Sequence, residues 1–597
     1  MTTWFNKLRQ PPLHKQAAIK AAAAGTSKPA LKPVSKLTVR RPGFRGWVGR
    51  GGGAAVVVSP APEWRGTTVQ VCGLWPYGVG TGAPMIGVPL GRHLVNRGTV
   101  CCDPISWFQR ANLISNPSAF VLGKPGLGKS TIVRRMATGL AGYGVQPLVL
   151  GDLKPDYVDL IRELDGQVIP LGRGRGYLNI LDPGEAGEAA QLLRDAADRE
   201  REAIEEEEAE LKLLRAPDVR DAPDIRDIRD IPEILEDPEA AQRIRERSAQ
   251  LVGSLPIHAE NIIRNERLAN QVLQDAHGRR LTMVSALLTI MRREPPTDRE
   301  ETIIDRALKL LDETHEGIPV LPDLLKIIQS APDELRAVAL DRGDLGRYQQ
   351  ITENLEASLI GLVSGGRLGE LFSQQTTVRM KRDCPVVYDV SSIDDSEMDL
   401  QAAVLLACWS AGFGTVNVAT ALADAELEPR RHYFVILDEL WRALRAGRGM
   451  VDRVDALTRL NRQRGVGMAM ISHTMSDLMA LGSEEDRMKA KGFVERSGMV
   501  ICGGLPSSEM PLLNSAITMS RAEQDMLQGW QDPPAWDPVS GKEADPPGRG
   551  KFLIKVGGRP GIPLTVELTD AERHIHDTNK LWHNASRTGT IDRKVSR

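Results

Sequence analysis

The chain has 597 residues, 76 Lys and Arg against 78 Asp and Glu, a formal net charge of −2 and 41% apolar residues. At roughly 150 residues per domain that length is too great for one hydrophobic core, and there is ample apolar content to bury. Its six cysteines (Cys72, Cys101, Cys102, Cys384, Cys408, Cys502) form no C-x-x-C pair and no metal spacing, so they support neither a zinc site nor a disulfide framework, and a reduced cytoplasm fits.

The opening "MTTWFNKLRQPPLHKQ" has positive charge but lacks the apolar run of a signal peptide. Residues 1–60 are rich in Pro, Gly, Ala and Lys without sustained periodicity, and the first acidic residue is Glu63. They predict a flexible basic arm able to touch nucleic acid or anionic lipid. Residues 61–118 hold short β-like pieces such as "TTVQVCGLW" and "GTVCCD" between glycine turns, which predicts a small β-rich segment at the entrance to the main domain.

Residues 119–185 begin with the apolar "AFVL", then "GKPGLGKS" from Gly123 to Ser130, then the helix-like "STIVRRMATGLAGY". This is G-x-x-x-x-G-K-[ST] in the order strand, loop, helix, which a chance glycine-rich turn would not supply. The nucleotide-binding set is Gly123, Lys124, Pro125, Gly126, Leu127, Gly128, Lys129, Ser130 and Thr131. Glycines at 123, 126 and 128 let the backbone wrap a phosphate with its amides inward, Lys129 neutralises the β and γ oxygens, and Ser130 offers a hydroxyl to Mg²⁺. Thr131 is a neighbour of that ligand. The cofactors implied are ATP and Mg²⁺.

From about 186 the composition shifts to "REREAIEEEEAELKLLRAPDVRDAPDIRDIRDIPEILEDPEAAQRIRERSAQ". The repeated Asp-x-Arg-Asp is too short and polar for a solenoid, and residues 186–380 read as a helical and charged insertion with solvated faces. Strand-like "CPVVYDVS", "HYFVILDEL", "VGMAMISHT", "GMVICGG" and "GKFLIKVGG" then resume the core over 381–560. The uncharged stretch 402–423, "AAVLLACWSAGFGTVNVATALA", is long enough to cross a bilayer. Its Gly, Asn and Thr content predicts a buried helix and loop instead, and no transmembrane segment.

"YFVILDELW" is an apolar strand ending in adjacent carboxylates. Asp438 suits the Mg²⁺ shell and Glu439 suits a general base on the attacking water, which indicates hydrolysis. About thirty residues on, a further strand ends in Ser472, His473 and Thr474; His473 is the candidate γ-phosphate sensor, against the reading of an ordinary strand-end histidine. The intervening helix is rich in arginine, mostly explained by a solvated face, with Arg462 and Arg464 the candidates for reaching a neighbouring subunit's phosphate. The fold class expected is α/β, a RecA-like P-loop NTPase of the additional-strand type with a mostly parallel sheet. Residues 561–597 read as a C-terminal extension.

The order of these motifs resembles the HerA–FtsK superfamily, most of all the TraC-type motor ATPases of conjugation and type IV secretion. The carriers are "GDLKPDYVDLIRELDGQVIPLGRGRGYLNILDP" with Asp152, Lys154, Asp156, Tyr157, Gly166 and Asn179, then "SGGRLGELFSQQTTVRM", "CPVVYDVSSI", "VILDELW", "NRQRGVGMAMISHTMSDL" and the terminal "HDTNKLW". Asp156 stands where the family usually has Glu, and Ser472-His473 where it usually has Thr-Gln. The likeness covers about 119–585, without the large N-terminal domain usual in the family. It implies a homo-hexameric ATPase working with conjugation or secretion channel proteins, cytoplasmic or peripheral at the inner face of the cell membrane. A DNA translocase without a secretion partner, with DNA held in part by the basic arm, and a slow nucleotide-dependent switch are the alternatives.

Overall fold

The computed structural model describes residues 85–215, 238–364, 368–445, 450–458, 465–533, 536–537, 542–543 and 545–575. The basic arm, the Asp-x-Arg-Asp stretch, Arg462, Arg464 and "HDTNKLW" lie outside these residues.

Eleven strands make one sheet: β1 (Pro89–His93), β2 (Thr99–Cys101), β3 (Ser118–Leu122), β4 (Val145–Asp152), β5 (Gln167–Pro170), β6 (Val386–Asp389), β7 (His432–Leu437), β8 (Val466–Ile471), β9 (Met499–Cys502), β10 (Lys551–Lys555) and β11 (Ile562–Val566). Their spatial order is β2-β1-β11-β10-β9-β3-β8-β7-β4-β6-β5. From β9 to β5 every pairing is parallel. From β9 to β2 every pairing is antiparallel. The phosphate-loop strand β3 and the carboxylate strand β7 are separated by β8, which is the additional strand expected of this fold class.

The parallel strands are apolar on both faces because helices cover both. Alternation along each strand divides the core in two. Phe120, Leu122, Leu148, Leu150, Val435 and Leu437 pack with the helix Met398–Asp424. Ala119, Val121, Val149, Phe434 and Ile436 face the helix that follows the phosphate loop, through Ile132, Val133, Met136 and Leu140.

Four helices matter below: α1 (Lys129–Gly142), α2 (Ala186–Arg215), α3 (Pro238–Arg292) and α4 (Met398–Asp424). Contacts between α2 and α3 run in opposite sequence order, Glu210 with Arg247, Glu207 with Ser254 and Glu200 with His258, so the pair is an antiparallel hairpin. Shorter helices follow, one of which opens on a capping box of Thr297 and Glu300.

The stretch expected as helix and loop is instead one unbroken helix of 27 residues, α4. It is apolar and long enough to cross a membrane by length and composition, and 83% of its most apolar window is buried in the protein. Gly412 lets it approach β4: a Cβ there would fall 2.4 Å from a Leu150 methyl. Tertiary burial overrides the weak helix propensity of its Gly, Thr and Val residues. Two boundaries drawn from sequence also move. β1 and β2 are the antiparallel edge of the main sheet, not a separate small sheet, and β11 carries that sheet past residue 560.

Candidate functional site

The carboxyl ends of β3, β4, β7, β8 and β9 meet at one edge of the sheet, where loops of open α/β folds gather their ligands. The phosphate loop is tied there by backbone. Gly123 N donates to His473 O (3.0 Å), Lys124 N to Gly504 O (3.0 Å), and Gly550 N to Leu127 O (3.0 Å). Leu127 is buried, while Lys124, Pro125 and Gly126 form the exposed tip. Gly126 and Gly128 have φ of +81° and +98°, a left-handed conformation that strains any residue with a Cβ.

Gly128 is the N-cap of α1 and supplies no side chain to its first-turn amides, and no acidic residue lies in that turn. Those amides and the helix dipole therefore suit an anion. Lys129 is buried, and its Nζ donates to Gly123 O at 2.7 Å. Burial pushes its ammonium down to about 8, against the opposing pull of Asp438 and Glu439. Ser130 and Thr131 follow in the first turn, half-buried. A concave backbone, a buried cation and an uncapped helix end fit a polyphosphate, and the Ser130 hydroxyl with the Asp438 carboxylate is the donor set a magnesium ion takes.

Asp438 follows β7. Burial, then repulsion from Glu439, raises its carboxyl to about 7. Glu439 sits at φ +53° and ψ +36°, left-handed for a residue that is not glycine. Such a residue costs on the order of 1–2 kcal/mol and persists only where its surroundings hold it. They do. Glu439 Oε1 accepts from Lys154 Nζ at 3.0 Å, and Oε2 accepts from Trp441 Nε1 at 2.5 Å. His473 Nε2 lies 3.3 Å from Oε2. Burial works to raise the Glu439 carboxyl, but His473, Lys154 and Trp441 outweigh it and hold it below its ordinary value.

Burial, joined by the charges of Lys129 and Lys154, pulls the His473 imidazole below its ordinary value despite Glu439. Its proton is therefore held less firmly than that of a free imidazole, even with the Glu439 carboxylate 3.3 Å away. His473 Nδ1 and the neighbouring Ser472 Oγ are buried without hydrogen-bond partners among the described residues.

The structure thus brings together the phosphate loop, Asp438, Glu439 and His473. Three further residues belong to the site. Lys154 and Tyr157 stand in the stretch "GDLKPDY" and Trp441 closes "VILDELW", with no role expected for any of them. Asp152 builds the turn that presents the first two, its carboxylate accepting from Asp156 N (3.0 Å) and Tyr157 N (2.7 Å). Trp441 is gripped by cations, with the Arg442 and Arg445 guanidinium carbons 4.9 and 4.7 Å from its ring centroid. Both arginines are engaged within the chain, Arg442 with Gln401 and Arg445 with Asp477.

No family model matches the chain, and no curated protein matches its sequence. Among solved structures, VirB4 of Thermoanaerobacter pseudethanolicus aligns with a TM-score of 0.51 at 16% identity, over 83% of this chain and all (100%) of that one. The plasmid coupling protein TrwB in complex with ADP and Mg²⁺ aligns with a TM-score of 0.38 at 11% identity, over 76% of this chain and 86% of that one. TrwB with a non-hydrolysable ATP analogue gives 0.38 at 12%, over 77% and 87%. The likeness to VirB4 is one of fold: this chain has the P-loop NTPase type of α/β fold, similar to that of VirB4, and the resemblance read from its motifs is shown at that level.

Proposed function

We propose that this chain is an ATP-hydrolysing motor of a conjugative DNA transfer or type IV secretion apparatus. The observation that supports it most is the meeting of Lys129, Asp438, Glu439 and His473 at the carboxyl edge of β3, β7 and β8, on a sheet similar to that of VirB4. Lys129 and the first-turn amides of α1 bind and orient the triphosphate. Ser130 and Asp438 would hold Mg²⁺, which when bound neutralises charge on the phosphates. Glu439 takes the proton of the attacking water as general base, and His473 reads the terminal phosphate from β8.

In this reading the working form is a homo-hexamer at the inner face of the membrane, docked on channel proteins. An arginine from the adjacent subunit completes each site, and Arg462 and Arg464 remain its candidates. The basic arm makes DNA a natural second ligand, with an affinity that falls steeply with salt.

The test is binding of a fluorescent ATP analogue and steady-state ATPase activity, each with double-stranded DNA, single-stranded DNA and none, at low and moderate salt, with Lys129→Ala as the blank. Nucleotide binding lost in Lys129→Ala, with low turnover unmoved by DNA, supports a secretion motor that needs its channel. Strong salt-sensitive stimulation by DNA would move the assignment to a DNA translocase acting without a secretion partner. Binding without turnover in any condition would leave a nucleotide-dependent switch.

A further inference from the structure

The three groups that hold Glu439 differ in how firmly they are themselves held. Trp441 is fixed, stacked under Arg442 and Arg445, which are anchored in turn on Gln401 and Asp477. His473 lies two residues beyond β8, a strand buried along its whole length. Lys154 differs: its side chain is 53% exposed and reaches Glu439 from the turn between β4 and the helix Val158–Glu163.

An exposed lysine is a flexible stem with three donors, and a single contact with Glu439 leaves two of them for another acceptor. Lys154 and Lys129 converge on one place: Lys129 Nζ bonds Gly123 O, Gly123 N bonds His473 O, and His473 and Lys154 both contact the Glu439 carboxylate. A terminal phosphate drawn onto Lys129 therefore arrives within reach of Lys154 as well, bringing more negative charge than one carboxylate. Meanwhile Glu439 Oε1 accepts from Lys154 and Oε2 from Trp441, which takes two of the roughly four acceptor positions of the carboxylate and fixes its pose.

We propose that Lys154 is a latch on Glu439: it holds the carboxylate in a resting pose and leaves it when a nucleoside triphosphate places its terminal phosphate between Lys154 and Lys129. The inference rests on the ATPase reading of the site and adds a regulatory step to it. Lys154 is a positioning residue, acting through Glu439. Hydrolysis in the absence of triphosphate contact with Lys154 is thereby suppressed, and the motor idles slowly.

The experiment compares the full chain with its Lys154→Met and Lys154→Arg variants. Lys154→Met should raise kcat about two- to fivefold, the range set by a half-exposed ion pair, and should raise KM for ATP because the phosphate loses a cation. Lys154→Arg keeps the charge within reach and should bring both values back toward wild type. The second readout is Trp441 emission, isolated by subtracting the spectrum of Trp441→Phe. A non-hydrolysable ATP analogue should shift it in the wild type, whereas Lys154→Met should show the shifted spectrum before any nucleotide is added.

A fall in kcat with KM unchanged would place Lys154 in the transition state and overturn the latch. Unchanged kcat together with unchanged emission would overturn it too. Failure of the underlying reading looks different: a wild-type chain that binds no fluorescent ATP analogue, or binds it equally after Lys129→Ala, removes the nucleotide site and the latch with it.

Discussion

The hydroxyl of Tyr157, a completely buried residue, lies 3.4 Å from Oδ2 of Asp438. Burial, reinforced by the Asp438 charge, holds the phenol well above its ordinary value, so it remains a donor throughout the working pH range. A partner behind a metal-binding carboxylate fixes its orientation. Tyr157→Phe keeps the ring and should leave ADP affinity without Mg²⁺ unchanged. The Mg²⁺ concentration for half-maximal ATPase activity should rise, by up to about tenfold. A magnesium titration that superimposes on wild type would remove Tyr157 from the site.

The left-handed backbone of Glu439 makes a stability prediction separable from catalysis. Glu439→Ala and Glu439→Gly lose the same contacts with Lys154 and Trp441, but only alanine keeps the Cβ that this conformation strains. The glycine variant should be the more stable by about 0.5–1 kcal/mol, reversing the order these residues show elsewhere. Both should bind nucleotide and fail to turn it over. Thermal unfolding decides, and an alanine variant of equal or higher melting temperature would contradict the strain.

Lys555 on β10 is buried against Glu523, with Nζ 3.1 Å from Oε1 and a further bond of 2.7 Å to Arg559 O. Burial works to raise the Glu523 carboxyl, but the amides of Ser520 and Gly561 and the charge of Lys555 outweigh it and lower it. Its contribution is therefore present above the unfolded value near 4.5 and is lost as pH falls through the lower folded value. Lys555→Met strands the carboxylate and should cost about 3–5 kcal/mol at pH 7.5. The cost should shrink toward pH 4, where that carboxylate takes up a proton. Urea unfolding at the two pH values measures both, and an equal loss at each would show that packing alone is at stake.

In the hairpin, His258 bridges two glutamates: Nδ1 contacts Glu200, and Nε2 lies 3.5 Å from Glu207 Oε1. The Glu200 hydrogen bond, which outweighs partial burial, raises the imidazole above 6.5. The sign is then fixed: this stability is complete below the unfolded value and disappears as pH rises through the higher folded one. Amide exchange along α2 and α3, corrected for intrinsic rate, should quicken between pH 6 and 8.5. His258→Gln should abolish that pH dependence, and a persisting slope in the variant would assign it elsewhere.

Sequence reading found the local features. "GKPGLGKS" carries its own loop and helix start, and Asp438-Glu439 is visible because a strand of apolar residues stops there. Beyond β9 the strand β10 is visible as "GKFLIKVGG", but the closing edge is not legible, since β1 pairs with β11 through contacts such as Gly91 with Val566, and nothing near either residue announces the other. Lys154 and Trp441 are conspicuous in sequence, yet their meeting on Glu439 depends on β4 and β7 lying side by side in the sheet. The continuity of α4 was missed because Gly412 and Gly414 look like breaks until the Leu150 and Arg279 side chains against them are known.

That burial of α4 has a consequence for biosynthesis. Much of its cover, Leu148 and Leu150 on β4 and residues of α2 and α3 such as Leu193 and Val272, precedes it in the chain, while Val435 and Leu437 on β7 follow it. A ribosome working from the N-terminus therefore delivers much of the shelter before the greasy segment that needs it, and domains fold as they emerge. A circular permutant beginning near residue 394 would reverse that order, releasing the most apolar helix first with nothing to receive it. Such a chain, identical in its finished contacts, should go astray on the way to them.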